Sequence, residues 1–357
     1  MPRPRIPVVM YHSVGRHRPG WLWNHLTTPL GLFEKQVLTL KAGGYRSLSL
    51  DDFKDIQSSR DQIPGRVVAL TFDDGYLDNW VCAYPILKRE GWQGTIYVNP
   101  EFIDPGEEPR PTLEDVWDGR LGMDDLEWHG FLNRAELRLL QDSGVMTIGS
   151  HSMSHTWYPT GPEVVDSHRP ELSSPWLAWN ARPDRKFAYL TEDQSTFVPY
   201  GTPIHQHGRS LGIRRYFPEA DGGRYETDEE MMARYRHEIF ESRRVLQEIT
   251  GGDVRHFCWP GGAYCEESWP LAEEAGYSTI CVAPRDKTRW AADDPRLVRR
   301  IGCSDIITLK GRKFATADPK LLLLACELEL GHTQKIWPLR LRKLATAVRT
   351  GYPLIRR

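Results

Sequence analysis

The chain has 357 residues, 40% of them hydrophobic, and a formal net charge of −2 at neutral pH. That length supports one large core, or a core with a substantial insertion, and the near-neutral charge excludes bulk attraction to nucleic acid as a defining property. Six scattered cysteines form no Cys-x-x-Cys pair, so reduced and mostly buried thiols are expected, with Cys258–Cys265 the one candidate disulfide.

The first apolar run spans Ile6 to Tyr11 and contains Pro7. It is shorter than the roughly 7–15 residues of a signal-peptide core and the roughly 20 of a membrane span. A cytoplasmic chain is therefore expected. Residues 7–11 (PVVMY) read as a strand, and 29–44 as a helix with Phe33, Val37 and Leu40 on one face and a glycine stop. VVALTF (67–72) is the next strand, 80–91 a short helix closed by Gly91, and TIYV (95–98) a strand again. Asn133 caps a helix, and 145–151 (VMTIGSH) follows as a strand. Thr227 and Glu230 form a capping box before a helix carrying Met232, Tyr235, Ile239, Leu246 and Ile249 on one side. RHFCW (255–259), a helix over 268–276 and STICV (278–282) complete the series.

Alternating β and α elements with continuously apolar strands predict a parallel sheet buried on both faces. The strand count, about seven, fits an α/β fold of the distorted (β/α) barrel type. Residues 156–225 break the rhythm with clustered prolines, glycines and the aromatics Trp157, Trp176 and Trp179. They read as an ordered, loop-rich insertion over the active-site face. The domain reading is a barrel over 1–317 and a basic helical tail over 318–357.

In such folds chemistry gathers at the carboxyl ends of strands. Three polar clusters fall there. The first is Asp73-Asp74, where one carboxylate can bind a cation while its neighbour acts on a proton. The second is His151-Ser152-Met153-Ser154-His155, whose histidines share one face if the segment is helical. A carboxylate plus both imidazoles makes three ligands for a zinc-like ion and leaves room for water and substrate. The third is Phe257-Cys258-Trp259-Pro260-Gly261-Gly262-Ala263-Tyr264, where glycines can offer a backbone N–H to an oxyanion and aromatics can flank a sugar.

Taken in order, TFDDG, HSMSH and FCWPGGAY resemble the polysaccharide deacetylase family, carbohydrate esterase family 4. MYHSV near the start and LVRRIG (297–302) resemble its poly-N-acetylglucosamine deacetylase-like branch. The resemblance covers residues 6–155 and 226–302. It implies a hydrolase that uses one divalent metal ion, zinc foremost, to remove an N- or O-acetyl group from a saccharide. By position, Asp73 resembles the general base, Asp74, His151 and His155 the metal ligands, Gly261 the oxyanion donor, and Tyr264 a groove residue. Cys258 stands where many members have an arginine that orients the base, and Arg299 and Arg300 are both substitutes for it. The general acid is also open: His12 follows the first strand, and His332 sits in a Leu-Gly-His run.

The expected partner is an N-acetylated saccharide or lipid-linked glycan of bacterial surface-polysaccharide assembly. Competing readings are an amide or ureide hydrolase on a small non-sugar substrate and an inactive glycan-binding module. His205 and His207 fit packing better than a second metal, and Trp176, Trp179, Tyr200 and Tyr216 are candidates for stacking on sugar. The basic segment 335–357, rich in Leu and Ile, suits an anionic inner-membrane surface.

Overall fold

Eight short parallel strands, all from one sheet, wrap into a nearly closed barrel in the computed structural model, which describes residues 4–17, 22–58, 63–169, 174–188, 197–219, 222–284, 294, 296–309 and 311–350. They are β1 (Val8–Tyr11), β2 (Val67–Phe72), β3 (Gly94–Val98), β4 (Met146–Ser150), β5 (His256–Cys258), β6 (Thr279–Val282), β7 (Leu297–Arg299) and β8 (Ile301–Gly302). Their order around the sheet is β7-β6-β5-β4-β3-β2-β1-β8.

The last two strands are one stave broken at Arg300. Its first half pairs with β6 (Val282 opposite Arg299), and its second half pairs with β1 (Val9 opposite Ile301). The expected seven staves and the observed eight strands are thus the same architecture.

Period-two alternation sorts the side chains. Val68, Leu70, Phe72, Ile96, Ile148, Phe257 and Ile280 belong to the large core under the outer helices. Val8, Val67, Ala69, Tyr97, Cys258, Cys281 and Val298 form a second cluster inside the barrel. Several interior residues are small, and Gly149 has to be: a Cβ there would meet the Tyr97 ring at 2.7 Å. Continuing the same parity past the strand ends aims His12, Asp73, Asn99, His151 and Arg300 into the barrel mouth.

The predicted caps are present. Asn133 accepts from the Glu136 N–H at 2.9 Å, and Thr227 accepts from the Glu230 N–H at 3.2 Å. Two helices depart from expectation. The 80–91 segment starts as a π turn (Asn79–Ala83) before the α-helix Tyr84–Glu90. The helix after Thr227 runs Asp228–Arg236, a π turn His237–Glu241, then Ser242–Thr250. Met231 is buried there and Met232 only partly, because burial steps in fours (231, 235, 239), a rotation wider than 3.6 residues that the π turn absorbs.

The insertion is more regular than a loop-rich segment. It contains an antiparallel hairpin, Trp157–Ser167 with Pro203–Arg209, and a helix, Pro175–Ala181. Its own small core joins Trp176, Trp179, Val198 and Ile204 to Tyr76, Phe102 and Phe131 of the barrel's loops. Trp176, Trp179 and Tyr216 are therefore buried and not free to stack on a sugar, while Tyr200 is exposed. His207 packs between Trp157 and Trp176, and His205 contacts the Pro162 carbonyl at 3.2 Å, so the pair builds no metal site. Cys258 and Cys265 are free thiols.

The tail is not detached. In the helix Lys320–Glu329, Leu322 and Cys326 enter the main core. Leu339 of the final helix, Ile336–Thr350, packs on Ile307, Phe314 and Leu321. Residues 351–357 of the basic tail lie outside the described residues.

Candidate active site

Asp73 and Asp74 leave β2 in different directions. Asp73 keeps the inward parity and is buried. Asp74 turns into the left-handed region at φ +73°, which an L-residue adopts at a cost of order 1–2 kcal/mol. Ser152 (φ +66°) and His155 (φ +46°) do the same. Among the described residues only Ser304 otherwise shares that conformation, so backbone strain concentrates at this site.

Residues 151–155 are a loop, not the helical turn that the spacing suggested. The loop still gathers the imidazoles. His151 Nε2 and His155 Nε2 each stand 3.4 Å from Asp74 Oδ1. Two ligands about 2.0–2.1 Å from one ion at a tetrahedral angle are themselves about 3.4 Å apart. Asp74 Oδ1 is buried without a hydrogen-bond partner, as a ligand atom facing an ion would be. His151 Nδ1 contacts the Cys258 carbonyl at 2.8 Å, so it must donate there, which turns the Nε2 lone pair toward Asp74. These residues fit one divalent cation.

The electrostatics agree. Burial alone would raise Asp74, but His151 at 3.4 Å and the other nearby imidazoles hold it well below the usual carboxylate range. Burial drives His155 down to about 4, so its ring is neutral at physiological pH and available as a ligand. His151 goes the other way: burial opposes protonation, yet Asp74 and Asp73 together raise it. Two carboxylates are drawing positive charge into the pocket.

Asp73, His151 and Cys258 also lie close enough to share an ion. The chemistry disfavours that set. Burial pushes the Cys258 thiol well up, which keeps it protonated. Both Asp73 oxygens are already taken: Arg300 holds them in a buried fork, Nη1 to Oδ1 at 2.6 Å and Nη2 to Oδ2 at 2.9 Å. Burial would raise Asp73, and Arg300 outweighs it, with His151 and His12 adding to the downward pull. Arg300, not Arg299, is thus the arginine that meets Asp73. It comes from the broken stave and lies 3.1 Å from the small Cys258 side chain.

His12 Nε2 is 3.9 Å from Asp73 Oδ2 and partly open to solvent. His332 is elsewhere. It pairs with Glu327, which also binds Arg66 at the amino end of β2. A six-residue strand, about 20 Å long, separates that end from Asp73. Gly261 adopts φ +55° in the turn Pro260–Gly262. Tyr264 stacks with Trp259 and Trp269, ring centroids 5.4 and 4.9 Å away.

Sequence reasoning missed the residues that clamp the 151–155 loop. Asn99 donates to the carbonyls of His151 and Ser152. Glu238 accepts from the Met153 and Ser154 N–H groups at 3.1 and 3.0 Å and from the Ser154 hydroxyl. Lys186, buried in the insertion, donates to the Ser154 carbonyl at 2.7 Å and pairs with Glu101. A buried acid on a helix carries no local sequence signal; only the inward parity of Asn99 was available in advance. Because Glu238 fixes the loop between both imidazoles, Glu238→Gln should weaken divalent-metal affinity about 10–100-fold, read by chelator competition. Unchanged affinity would contradict that role.

The sequence profile of the polysaccharide deacetylase family matches residues 60–175 and 184–280. The poly-beta-1,6-N-acetyl-D-glucosamine N-deacetylase of Escherichia coli K12 is 21% identical over 231 residues, covering 64% of this chain and 26% of that protein. YxkH of Bacillus subtilis, named for the same family, is 35% identical over 95 residues, covering 26% of this chain and 32% of that protein. The chain thus spans between a quarter and a third of the length of these curated relatives. Among solved structures, a de-N-acetylase from Aggregatibacter actinomycetemcomitans superposes with TM-score 0.54 at 19% identity, covering 83% of this chain and 94% of that one. The Streptococcus pyogenes deacetylase PplD superposes with TM-score 0.53 at 18% identity, covering 90% and 98%. The barrel is the fold of those proteins, and, on the extent of the profile match, the chain belongs to the polysaccharide deacetylase family.

Proposed function

We propose that the protein is a metal-dependent deacetylase that removes an N-acetyl group from a saccharide. The observation that carries this is the orphaned Asp74 Oδ1 set 3.4 Å from both imidazoles, next to a second carboxylate held off the cluster by Arg300. A divalent cation held by Asp74, His151 and His155, zinc being the best match to that donor set, would supply Lewis-acid polarisation of the acetyl carbonyl. Asp73, oriented by Arg300, takes the proton of the attacking water. The Gly261 N–H donates to the developing oxyanion. His12 returns a proton to the departing amine, and Tyr264 shapes the groove. Arg300 supplies the cation that Cys258 cannot, which favours an active enzyme over an inactive glycan-binding module.

Acetate release from N-acetylated oligosaccharides by the metal-loaded protein, lost on chelation and restored by adding the metal back, tests the reading. A metal-loaded protein that releases no acetate from any such saccharide would overturn it.

We further propose that the substrate is met at an anionic membrane surface, as a lipid-linked glycan on the cytoplasmic side. No helix among the described residues is long and apolar enough to cross a membrane. The helix Ile336–Thr350 instead exposes Trp337, Leu341, Leu344 and Val348, one stripe at steps of four, three and four, with Arg340, Lys343 and Arg349 beside it. Leu341→Glu with Leu344→Glu should abolish co-sedimentation with phosphatidylglycerol vesicles and leave the melting temperature unchanged. Equal sedimentation of variant and parent would end this proposal.

A further inference from the structure

Arg209 ends the second strand of the insertion hairpin and lies across Gly261. A Cβ on Gly261 would meet Arg209 Nε at 2.0 Å and Cζ at 2.6 Å. The guanidinium stands over the Trp157 ring, 5.1 Å from its centroid. The insertion thus delivers a cation over the turn that carries the oxyanion donor.

Among the described residues that cation has no counter-ion. Its Nε is buried without a hydrogen-bond partner, and among the described residues no carboxylate pairs with it. Burial pulls Arg209 down and no neighbouring charge pulls it back. Arg300, Arg234 and Lys186 are matched, with Asp73, Glu226 and Glu101, while Arg215, over the Tyr158 ring, also leaves its Nε without a partner. A half-buried guanidinium with one buried donor unused is costly unless something binds to complete it.

We propose that Arg209 is a specificity-determining residue that binds an anionic oxygen group, a carboxylate or a phosphate, carried by the saccharide close to its acetamide. The proposal rests on the deacetylase reading for where the acetamide sits. Arginine's planar fork matches both groups in bidentate geometry, and Trp157 beneath it fixes the plane. A neutral sugar offers only hydroxyl oxygens and would leave the charge unmatched.

The test is direct binding to the metal-loaded full chain by calorimetry. Three N-acetylglucosamine-containing tetrasaccharides serve as probes: one neutral, one with alternating glucuronate, and one bearing a phosphomonoester. The parent should bind one or both charged probes at least about tenfold more tightly than the neutral one, the size of a single charge-assisted hydrogen bond. Arg209→Met keeps the aliphatic stem and should erase that preference while leaving neutral binding within about twofold. Arg209→Lys should retain part of it, and serves also if the methionine variant does not fold. The carboxylate and phosphate arms identify which anion is read. Equal affinity of the parent for all three probes, or an equal loss on all three in Arg209→Met, would overturn the proposal. Because binding and not turnover is measured, failure to release acetate would count against the deacetylase reading and leave this result standing.

Discussion

Asp74→Asn and His151→Ala should each purify folded, and each without the divalent ion proposed for the parent. In the proposed site Asp74 and His151 hold the same point from two sides, so removing either would leave two donors, too few for a tight site. Polarisation of a carbonyl by a cation is worth several kcal/mol, which is about a thousandfold in rate. Acetate release in both variants should therefore fall by at least about that factor. Metal analysis by atomic emission and circular dichroism accompany the assay. A variant that keeps full metal occupancy and turnover would refute the ligand assignment, and one that merely unfolds would show in the dichroism.

Arg300→Met destabilises the fold most at neutral pH and least in acid. The Asp73–Arg300 pair is buried, and deleting one partner of such a pair costs about 3–5 kcal/mol, because the remaining charge is stranded. In the parent, Arg300 holds the Asp73 carboxyl below the usual range, so the pair's contribution is present above the unfolded carboxylate's pKa and is lost as pH falls through the lower folded value. In the variant, burial is no longer opposed by Arg300, and the carboxyl rises. The variant then gains stability on acidification, opposite to the parent's trend. Melting curves from about pH 2 to about pH 8 check the sign. A parallel pH dependence in the two proteins would show that the pair is not the coupling drawn here. Turnover should fall too, with the acid limb of the rate profile displaced upward in pH, since a raised carboxyl is a base only at higher pH.

Most of the barrel was legible because each stave is a short, continuously apolar run bounded by glycine or a polar doublet, as in VVALTFDDG and VMTIGSH. Alternation fixed which residues face inward, so Asp73 and His151 converge without any long-range information. The segment from 151 to 155 brings its imidazoles together by a geometry other than the expected one. Histidines four apart share a helical face, but here a strained loop brings them together, and strain of that kind is set by Glu238, Asn99 and Lys186 from distant segments. Arg300 illustrates the same limit. Its neighbour Arg299 has the same chemistry, and only the parity of a stave interrupted at 300 turns one of them inward. The hairpin of the insertion was hidden because its strands, rich in proline and glycine and each with a single buried residue, lack the alternation that marks a half-buried ribbon.

The interruption at residue 300 has a further consequence for how the molecule becomes competent. The cylinder closes there on two short backbone ladders, one to β6 and one to β1, and the residue between them, Arg300, aims the group assigned to accept a proton. Closure of the scaffold and arming of the chemistry are therefore a single event. A nascent chain whose final stave has not yet docked can already possess every ligand for the cation, all of them earlier in sequence, and still be unable to turn over.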